Sequence, residues 1–343
     1  MKSKILKIAA AMLSVVMIVA SFASCADNKK VNSSSNVTPV KPNPAVNINV
    51  AVLKGPTAIG MLKLMDDTKN GFAKHNYNFS VFTDPTLVVP EVVKGNVDIA
   101  AVPTNVAANL YHKTNKGVSV IAVNTLGVLS IVTNGESVSS IADLKGKTIY
   151  ATGKGATPEY ALNYILEKNG LEIGKDVKVE YKGEHSELAA LVTAGEAKIA
   201  MLPQPFVTTV TNANKDVRVA LDLSEEWKKI SEVKDTELVM GCIVVRNEFL
   251  KKNPGAVDTF LNEYSHSTEY ANEKHDKTGE LSAKFDILPA AVVTLAIPRC
   301  NIVFMKNEKM KTNVSAYLKT LYDANPKSIG GALPEEAFYY VQK

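Results

Sequence analysis

Two glycine–threonine loops, 100 positions apart, have the residue types and the spacing to bind a ligand. Gly55-Pro56-Thr57 and Gly155-Ala156-Thr157 each follow a strand-like run and precede a helix-like run. The N-terminus of a helix presents unpaired N–H groups and about half a positive charge, so it attracts anions. Glycine lets a ligand approach the backbone, and threonine adds a hydroxyl. Together the loops predict a clamp for a small oxyanion, whereas either loop alone is equally typical of a turn and a helix cap.

A second pair of motifs keeps the same offset. Residues 92–103 reappear loosely as residues 192–203, with glycine, isoleucine, alanine and proline in the same register, although so short an echo can also arise by chance. Thr104 and Asn105 follow the first proline, and Gln204 follows the second. Uncharged amides and hydroxyls in an apolar setting are typical of hydrogen-bonded recognition of a small ligand. Asn105 is also suited to capping the next helix.

Other polar residues give weaker signals. His185 lies in a loop after a further predicted strand, where a protonated imidazole would suit an anion, but a histidine in a loop is more often only solvated. His266, Glu269 and Glu273 would share one face of a helix. That helix is rich in charge and is typical of a solvated surface, so the sequence predicts no metal site.

The sequence also predicts that the protein is not an enzyme and carries no cofactor. Cys242 and Cys300 have no neighbouring histidine to activate them, and both lie in apolar stretches that favour buried free thiols over a disulfide. The chain contains no Gly-x-Ser-x-Gly, Walker-type or His-Glu-x-x-His motif.

The elements that must position these loops alternate along the chain. Strand-like runs and helix-like runs follow one another from Ile48 to Val123 and again from Thr148 to Leu223. This alternation predicts an α/β fold with mainly parallel sheets flanked by helices. Because ligands of open α/β sheets bind beyond the carboxyl ends of the strands, the loops described above are expected to line one cleft between two lobes.

Composition excludes some classes of protein. The 343 residues are 46% hydrophobic and 22% charged, as in a globular protein. The net charge is +4, and no run of lysine and arginine interleaved with aromatic residues indicates a nucleic-acid surface.

The N-terminal residues predict export and anchoring. Residues 1–24 combine three lysines with an apolar run too short to span a bilayer, which is typical of a signal peptide. Phe22-Ala23-Ser24-Cys25 resembles a bacterial lipobox, so Cys25 is expected to be lipidated and to carry palmitate; the alternative is ordinary cleavage that leaves a free thiol. Residues 25–45 then form a polar stalk that cannot bury enough surface to fold.

Several motifs resemble one family. They are Ile141–Lys147, Leu166–Leu171, Leu202–Pro205 and Val244–Pro254, and their order and spacing are similar to those of type II periplasmic-type solute-binding proteins. The resemblance is closest to receptors of ABC importers for sulfonates, taurine and nitrate. It implies two lobes joined by two hinge crossings near residues 125 and 239. Lobe 1 would comprise residues 46–125 and 240–343, and lobe 2 residues 126–239.

The resemblance also implies a function. The protein would be a monomeric receptor, anchored by lipid on the extracytoplasmic face of the cell membrane, that passes its ligand to an ABC permease. Many relatives have glutamate where Gln204 stands, and losing that carboxylate favours a neutral or anionic ligand. A sulfonate, nitrate or similar small anion is expected. The alternatives are a neutral heterocycle such as a thiamine-related pyrimidine and, from another class, a structural or adhesive surface lipoprotein.

Overall fold

This computed structural model describes residues 44–231 and 236–342. These residues form two β-sheets with helices packed against them. The predicted signal peptide, Cys25 and nearly all of the predicted stalk lie outside the described residues. The strands are short and rich in β-branched and small apolar residues, as expected where helices cover a sheet. They are β1 (Asn47–Leu53), β2 (Asn76–Phe82), β3 (Ile99–Pro103), β4 (Val118–Thr125), β5 (Leu129–Asn134), β6 (Thr148–Ala151), β7 (Lys178–Tyr181), β8 (Ile199–Pro203), β9 (Val217–Asp222), β10 (Gly241–Arg246) and β11 (Ile302–Met305).

The strand order is β11-β4-β10-β3-β1-β2 in the first sheet and β7-β6-β8-β5-β9 in the second. β1 is parallel to β2 and β3, and β6 is parallel to β7 and β8. β10 lies antiparallel between β3 and β4, and β5 lies antiparallel between β8 and β9. We call the first sheet with its helices lobe 1 and the second with its helices lobe 2. The predicted two-lobed α/β fold is confirmed, and the chain crosses from β4 to β5 and from β9 back to β10.

Helices cover both faces of the first sheet. Val50 of β1 belongs to the hydrophobic cluster that contains Phe260, whereas the next residue, Ala51, belongs to the cluster that contains Leu110. None of the helices in the described ranges combines the length and apolar character needed to cross a membrane. The helices are α1 (Pro56–Ile59), α2 (Leu62–Lys69), α3 (Pro85–Lys94), α4 (Thr104–Lys113), α5 (Thr157–Lys168), α6 (His185–Ala194), α7 (Phe206–Ala213), α8 (Leu223–Ile230), α9 (Asn247–Lys252), α10 (Pro254–Glu273), α11 (His275–Lys284), α12 (Ala290–Ala296) and α13 (Asn307–Ala324).

The repeat in the sequence is also a repeat in the structure. α3 and α6 begin and end at positions that differ by 100, and so do β3 and β8. Each helix ends at a glycine in the left-handed region, Gly95 with φ 82° and Gly195 with φ 78°. Such a backbone favours glycine because a Cβ would be strained there. The two lobes therefore place equivalent strand ends at the same edge of their sheets.

The start of lobe 1 differs from the sequence prediction. The apolar period predicts one helix from Thr57 through Met65, capped by Thr57, but the structure divides it into α1 and α2 at Gly60. A Cβ on Gly60 would lie 3.1 Å from both Ile302 and Tyr264, so a side chain here would be tightly packed against them. Thr57 is the second residue of α1 and does not cap it, because the residue before the helix is Gly55.

Candidate ligand-binding site

A cavity of about 580 Å³ lies between the two lobes. It is at the carboxyl ends of β1, β2, β6 and β7, the edge at which open α/β sheets bind ligands. Loops from both lobes contribute, together with one aromatic side chain of α7 and two apolar residues after α11. The lining residues are Lys54, Thr83, Asp84, Pro85, Thr86, Gly153, Lys154, Ala156, Tyr181, Lys182, Gly183, Glu184, His185, Ser186, Phe206, Ile287 and Leu288.

Three lysines supply positive charge to this cavity. Lys54 comes from lobe 1, and Lys154 and Lys182 come from lobe 2. Lys54 forms an ion pair with Asp286 at 3.4 Å, and Lys182 lies 5.6 Å from the centre of the Tyr150 ring. Among the described residues, Lys154 has no ion-pair partner. The cavity is therefore lined by lysines from both lobes, together with the acidic residues Asp84 and Glu184.

Carboxylates accept hydrogen bonds from backbone donors at two helix N-termini beside the cavity. The Asp84 carboxylate accepts from the N–H of Thr86 at 2.7 Å, at the start of α3. At the Gly155 loop, which the sequence predicts to bind an anion, the N–H of Gly155 donates to Glu159 at 2.5 Å. Because its own carboxylate already uses this donor, the Gly155 loop does not offer the free N–H that a bound oxyanion would need.

His185 is the first residue of α6 rather than part of a loop. Its Nδ1 lies 2.6 Å from the hydroxyl oxygen of Thr152, and its ring centre lies 5.3 Å from that of Phe206. Burial lowers the pKa of His185 to about 4. The imidazole is therefore neutral at pH 7, and it can offer a ligand hydrogen bonds but not the positive charge considered from the sequence.

The first predicted loop lies beside the cavity, and only its neighbour Lys54 lines it. The hydroxyl of Thr57 donates to the carbonyl of Leu53 at 2.7 Å, within the same turn. Gly55 has φ 123°, a conformation that favours glycine, and Pro56 opens α1. In the second loop, Ala156 is the member that lines the cavity.

Three predicted residues meet across the lobes. The side-chain nitrogen of Asn105 donates to the carbonyl of Gly155 at 3.2 Å, and the hydroxyl of Thr157 donates to the side-chain oxygen of Asn105 at 3.2 Å. Asn105 also donates to the carbonyl of Ser328 at 3.2 Å. Asn105 and Thr157 are fully buried, and the N-cap of α5 is Ala156 rather than Thr157. In this arrangement these side chains join the lobes instead of facing the cavity.

The remaining two predicted residues, Thr104 and Gln204, do not line this cavity. The hydroxyl of Thr104 is buried and donates to the carbonyl of Val239 at 2.8 Å, in the segment that returns to lobe 1. The side-chain oxygen of Gln204 accepts hydrogen bonds from the N–H of Thr208 at 3.2 Å and from its hydroxyl at 2.8 Å. Gln204 lines a second interlobe cavity of about 780 Å³, together with Arg299.

The sequence interpretation missed the lysines. Lys54 and Lys154 immediately precede the two predicted loops and keep the 100-residue offset, so the signal was present. Phe206 follows the proline motif of lobe 2. In the sequence alone, these lysines cannot be told from other lysines. Only the fold shows that three of them line one cavity.

Metal ligands and reactive thiols were also sought among the described residues. In residues 44–231 and 236–342, no group of three or more histidine, cysteine, aspartate and glutamate residues is arranged to hold a metal ion. Cys242 and Cys300 are free and buried. Burial raises the pKa of both thiols to about 12, so neither is a thiolate at neutral pH.

Known proteins resemble the chain over its two lobes. The model of the family "ABC transporter, phosphonate, periplasmic substrate-binding protein" matches residues 74–272, more than half of the chain. Binding proteins of Brucella abortus and Brucella suis are 22% identical over 205 residues, which is 60% of this chain and 60% of each relative. The match thus spans less than two thirds of those relatives.

Solved structures show the same fold. An ABC transporter protein of Parabacteroides distasonis has a TM-score of 0.71 at 22% identity, covering 86% of this chain and 99% of that one. The periplasmic aliphatic sulphonate binding protein SsuA of Escherichia coli has a TM-score of 0.67 at 16% identity, covering 87% and 94%. The periplasmic nitrate-binding protein NrtA of Synechocystis has a TM-score of 0.63 at 13% identity, covering 83% and 84%. By its family match, the chain belongs to the phosphonate periplasmic substrate-binding proteins of ABC transporters.

Proposed function

We propose that this protein captures a small anion of the phosphonate, sulfonate or nitrate type between its lobes and delivers it to the permease of an ABC importer. The observation that carries the proposal is the convergence of Lys54, Lys154 and Lys182, from both lobes, on one cavity at the strand ends. The names of the similar proteins, which include receptors for an aliphatic sulphonate and for nitrate, support the same class of ligand.

In this proposal, the protein captures its ligand by closing the two lobes around it. A ligand that contacts both lobes stabilises the closed arrangement, which the permease then recognises. The hydrogen bond that Asn105 donates to the carbonyl of Gly155 and the one that it accepts from the hydroxyl of Thr157 are contacts between the lobes that closure would form. The ammonium groups attract the anion, and the neutral donors around them orient it.

An anchor on the outer face of the cytoplasmic membrane is part of the proposal. It rests on the lipobox-like residues before Cys25 and on the polar stalk behind it. A Cys25→Ser variant is expected to leave the membrane fraction for the soluble fraction, and its retention in the membrane would contradict the anchor.

Calorimetric titration of the full chain with methylphosphonate, methanesulfonate and nitrate tests the ligand class. We expect at least one of them to bind, with an affinity that falls as salt is added. Lys154→Ala should weaken binding about fivefold, as expected for the loss of roughly 1 kcal/mol from one partly solvated charge. Lys215→Ala is the matched control, because Lys215 is an exposed lysine of lobe 2 that does not line the cavity, and it should bind like the wild type. No anion binding, or equal affinity of both variants, would reject the proposal.

A neutral heterocycle is the second candidate, and the aromatic wall of the cavity favours it. Phe206 and the neutral ring of His185 lie side by side, and a pyrimidine could stack on the first and hydrogen-bond to the second. A 4-aminopyrimidine is the corresponding probe. Its binding would be insensitive to salt and would be lost in Phe206→Ala, whereas anion binding would show the opposite pattern.

A further inference from the structure

The second interlobe cavity, of about 780 Å³, is separate from the cavity lined by Lys54, Lys154 and Lys182, which we call the lysine cavity. Among the described residues, none lines both cavities. Lobe 2 contributes β5, α7 and β9 to the second cavity, and lobe 1 contributes residues between α12 and β11. Its size is in the range of sites for small molecules. The proposed function makes no use of this cavity.

Two of the three arginines in the chain line the second cavity, one from each lobe. Arg218 comes from β9, and Arg299 comes from the residues before β11. The guanidinium of Arg218 donates to the carbonyl of Glu136 at 3.0 Å, whereas Arg299 forms no ion pair within the described ranges. The third arginine, Arg246, is already paired with Asp98 at 3.1 Å. A planar guanidinium can donate two parallel hydrogen bonds to a carboxylate, so arginine is well suited to bind one.

Gln204 presents amide N–H donors at the same cavity. Its side chain is only 5% exposed, and its oxygen accepts hydrogen bonds from the N–H of Thr208 at 3.2 Å and from its hydroxyl at 2.8 Å. Because a backbone N–H can only donate, the amide atom that faces Thr208 is the oxygen, and the nitrogen is turned away from it. This nitrogen has no acceptor among the described residues, and Gln204 lines the cavity. An acceptor bound in the cavity would satisfy it.

Ser130 of β5 adds a second buried donor. Its side chain is 8% exposed and lines the cavity, and its hydroxyl has no hydrogen-bond partner in the part of the chain that the structure describes. The charged members of the lining are Arg218, Arg299 and Asp222, two positive groups and one negative group with a formal total of +1. The lining therefore favours an ion with a single negative charge.

We propose that the second cavity binds a small monocarboxylate with a short apolar substituent. The guanidinium of Arg299 pairs with the carboxylate, and the amide nitrogen of Gln204 and the hydroxyl of Ser130 donate to its oxygens. Val207 and Val219 also line the cavity and give the substituent an apolar surface. The inference goes beyond the proposed function and does not depend on it.

Calorimetric titration of the full chain with butyrate and with butyramide tests the recognition of the carboxylate. Butyramide has nearly the same shape but no charge, so the wild type should bind butyrate at least about tenfold more tightly. Absence of butyrate binding, or equal affinity for the two compounds, would overturn the inference.

Arg299→Gln removes one positive charge of the cavity with little change in size. We expect the affinity for butyrate to fall about tenfold or more while the melting temperature of the ligand-free protein is unchanged, because Arg299 is exposed. Lys251→Gln is the matched control, because Lys251 is an exposed lysine of lobe 1 that does not line the cavity, and it should bind butyrate like the wild type. Equal affinity of the two variants would contradict the role of Arg299.

Ser130→Ala tests the buried donor without changing the charge. The affinity for butyrate should fall about fivefold, because one hydrogen bond to a charged group is lost, and the melting temperature should stay the same. If Ser130→Ala binds butyrate as tightly as the wild type, the carboxylate does not lie where we place it.

Methanesulfonate distinguishes the two cavities. Arg299→Gln should bind it like the wild type, because the lysine cavity is its proposed site. If Arg299→Gln loses methanesulfonate and the wild type does not bind butyrate, the second cavity holds the transported anion and the separate carboxylate site is overturned. If the wild type binds butyrate but none of methylphosphonate, methanesulfonate and nitrate, the proposed function fails and the carboxylate site stands.

Discussion

His185 stays neutral because of where the fold places it. The hydroxyl of Thr152 meets one ring nitrogen, Phe206 packs beside the ring, and burial lowers the pKa to about 4. The neutral imidazole adds no positive charge to the three lysines that line the same cavity, and it keeps its capacity for hydrogen bonding.

Stability should depend on pH through His185. The folded pKa of about 4 is below the unfolded value of 6.5, so the unfolded state binds more protons between these values. The contribution is fully present above pH 6.5 and is lost as the pH falls towards 4, at up to about 1.4 kcal/mol per pH unit. Urea unfolding from pH 7 to pH 4 measures this loss, and His185→Gln should flatten it. Parallel curves for the two proteins would show that His185 does not titrate in this way.

Residue types alone were a partial guide to the site. Thr57 and Thr157 were predicted as ligand groups, yet both hydroxyls already have acceptors within the protein. The sequence does not show whether a hydroxyl already donates a hydrogen bond within the protein. The acceptor of the Thr157 hydroxyl, for example, is Asn105, 52 positions away in the chain.

Elements were predicted better than contacts. The period of apolar residues and the glycine stops predicted α3, α6 and the strands that follow them, because these signals are local. The break between α1 and α2 at Gly60 was missed, because the apolar residues on either side of it keep one helical period. Gly60 lies close to Tyr264 and Ile302, which are far away in the sequence.

A partly buried ion pair ties three strands of lobe 1 together. Asp98 binds Arg246 of β10 at 3.1 Å, and its other oxygen accepts from the N–H of Asn49 in β1 at 3.0 Å. Asp98→Ala should lower the free energy of unfolding by about 2–3 kcal/mol, because it leaves Arg246 short of a partner. Lys198→Ala, at the equivalent position of lobe 2, is exposed and should change it by no more than about 0.5 kcal/mol. Urea unfolding measures both, and similar losses would contradict the assignment.

Closure of the whole molecule can be tested at Asn105. Asn105 and Asn109 both donate to the carbonyl of Ser328, but only Asn105 reaches Gly155 and Thr157 in lobe 2. Asn105→Ala should weaken the closed state by about 1–2 kcal/mol, which is roughly a 5–30-fold shift in population. Small-angle X-ray scattering should then show a larger radius of gyration, whereas Asn109→Ala should match the wild type. An unchanged radius in Asn105→Ala would mean that other contacts hold the lobes.

The placement of β10 also fixes the order in which the lobes can be completed during synthesis. All five strands of the second sheet are contiguous in the chain, from β5 to β9. The first sheet has β10 inserted between β3 and β4, so these two strands are not joined until the chain has been made as far as Arg246. The half that begins first is therefore the half that is finished last, and the apolar strands of lobe 1 are open to wrong association throughout that interval.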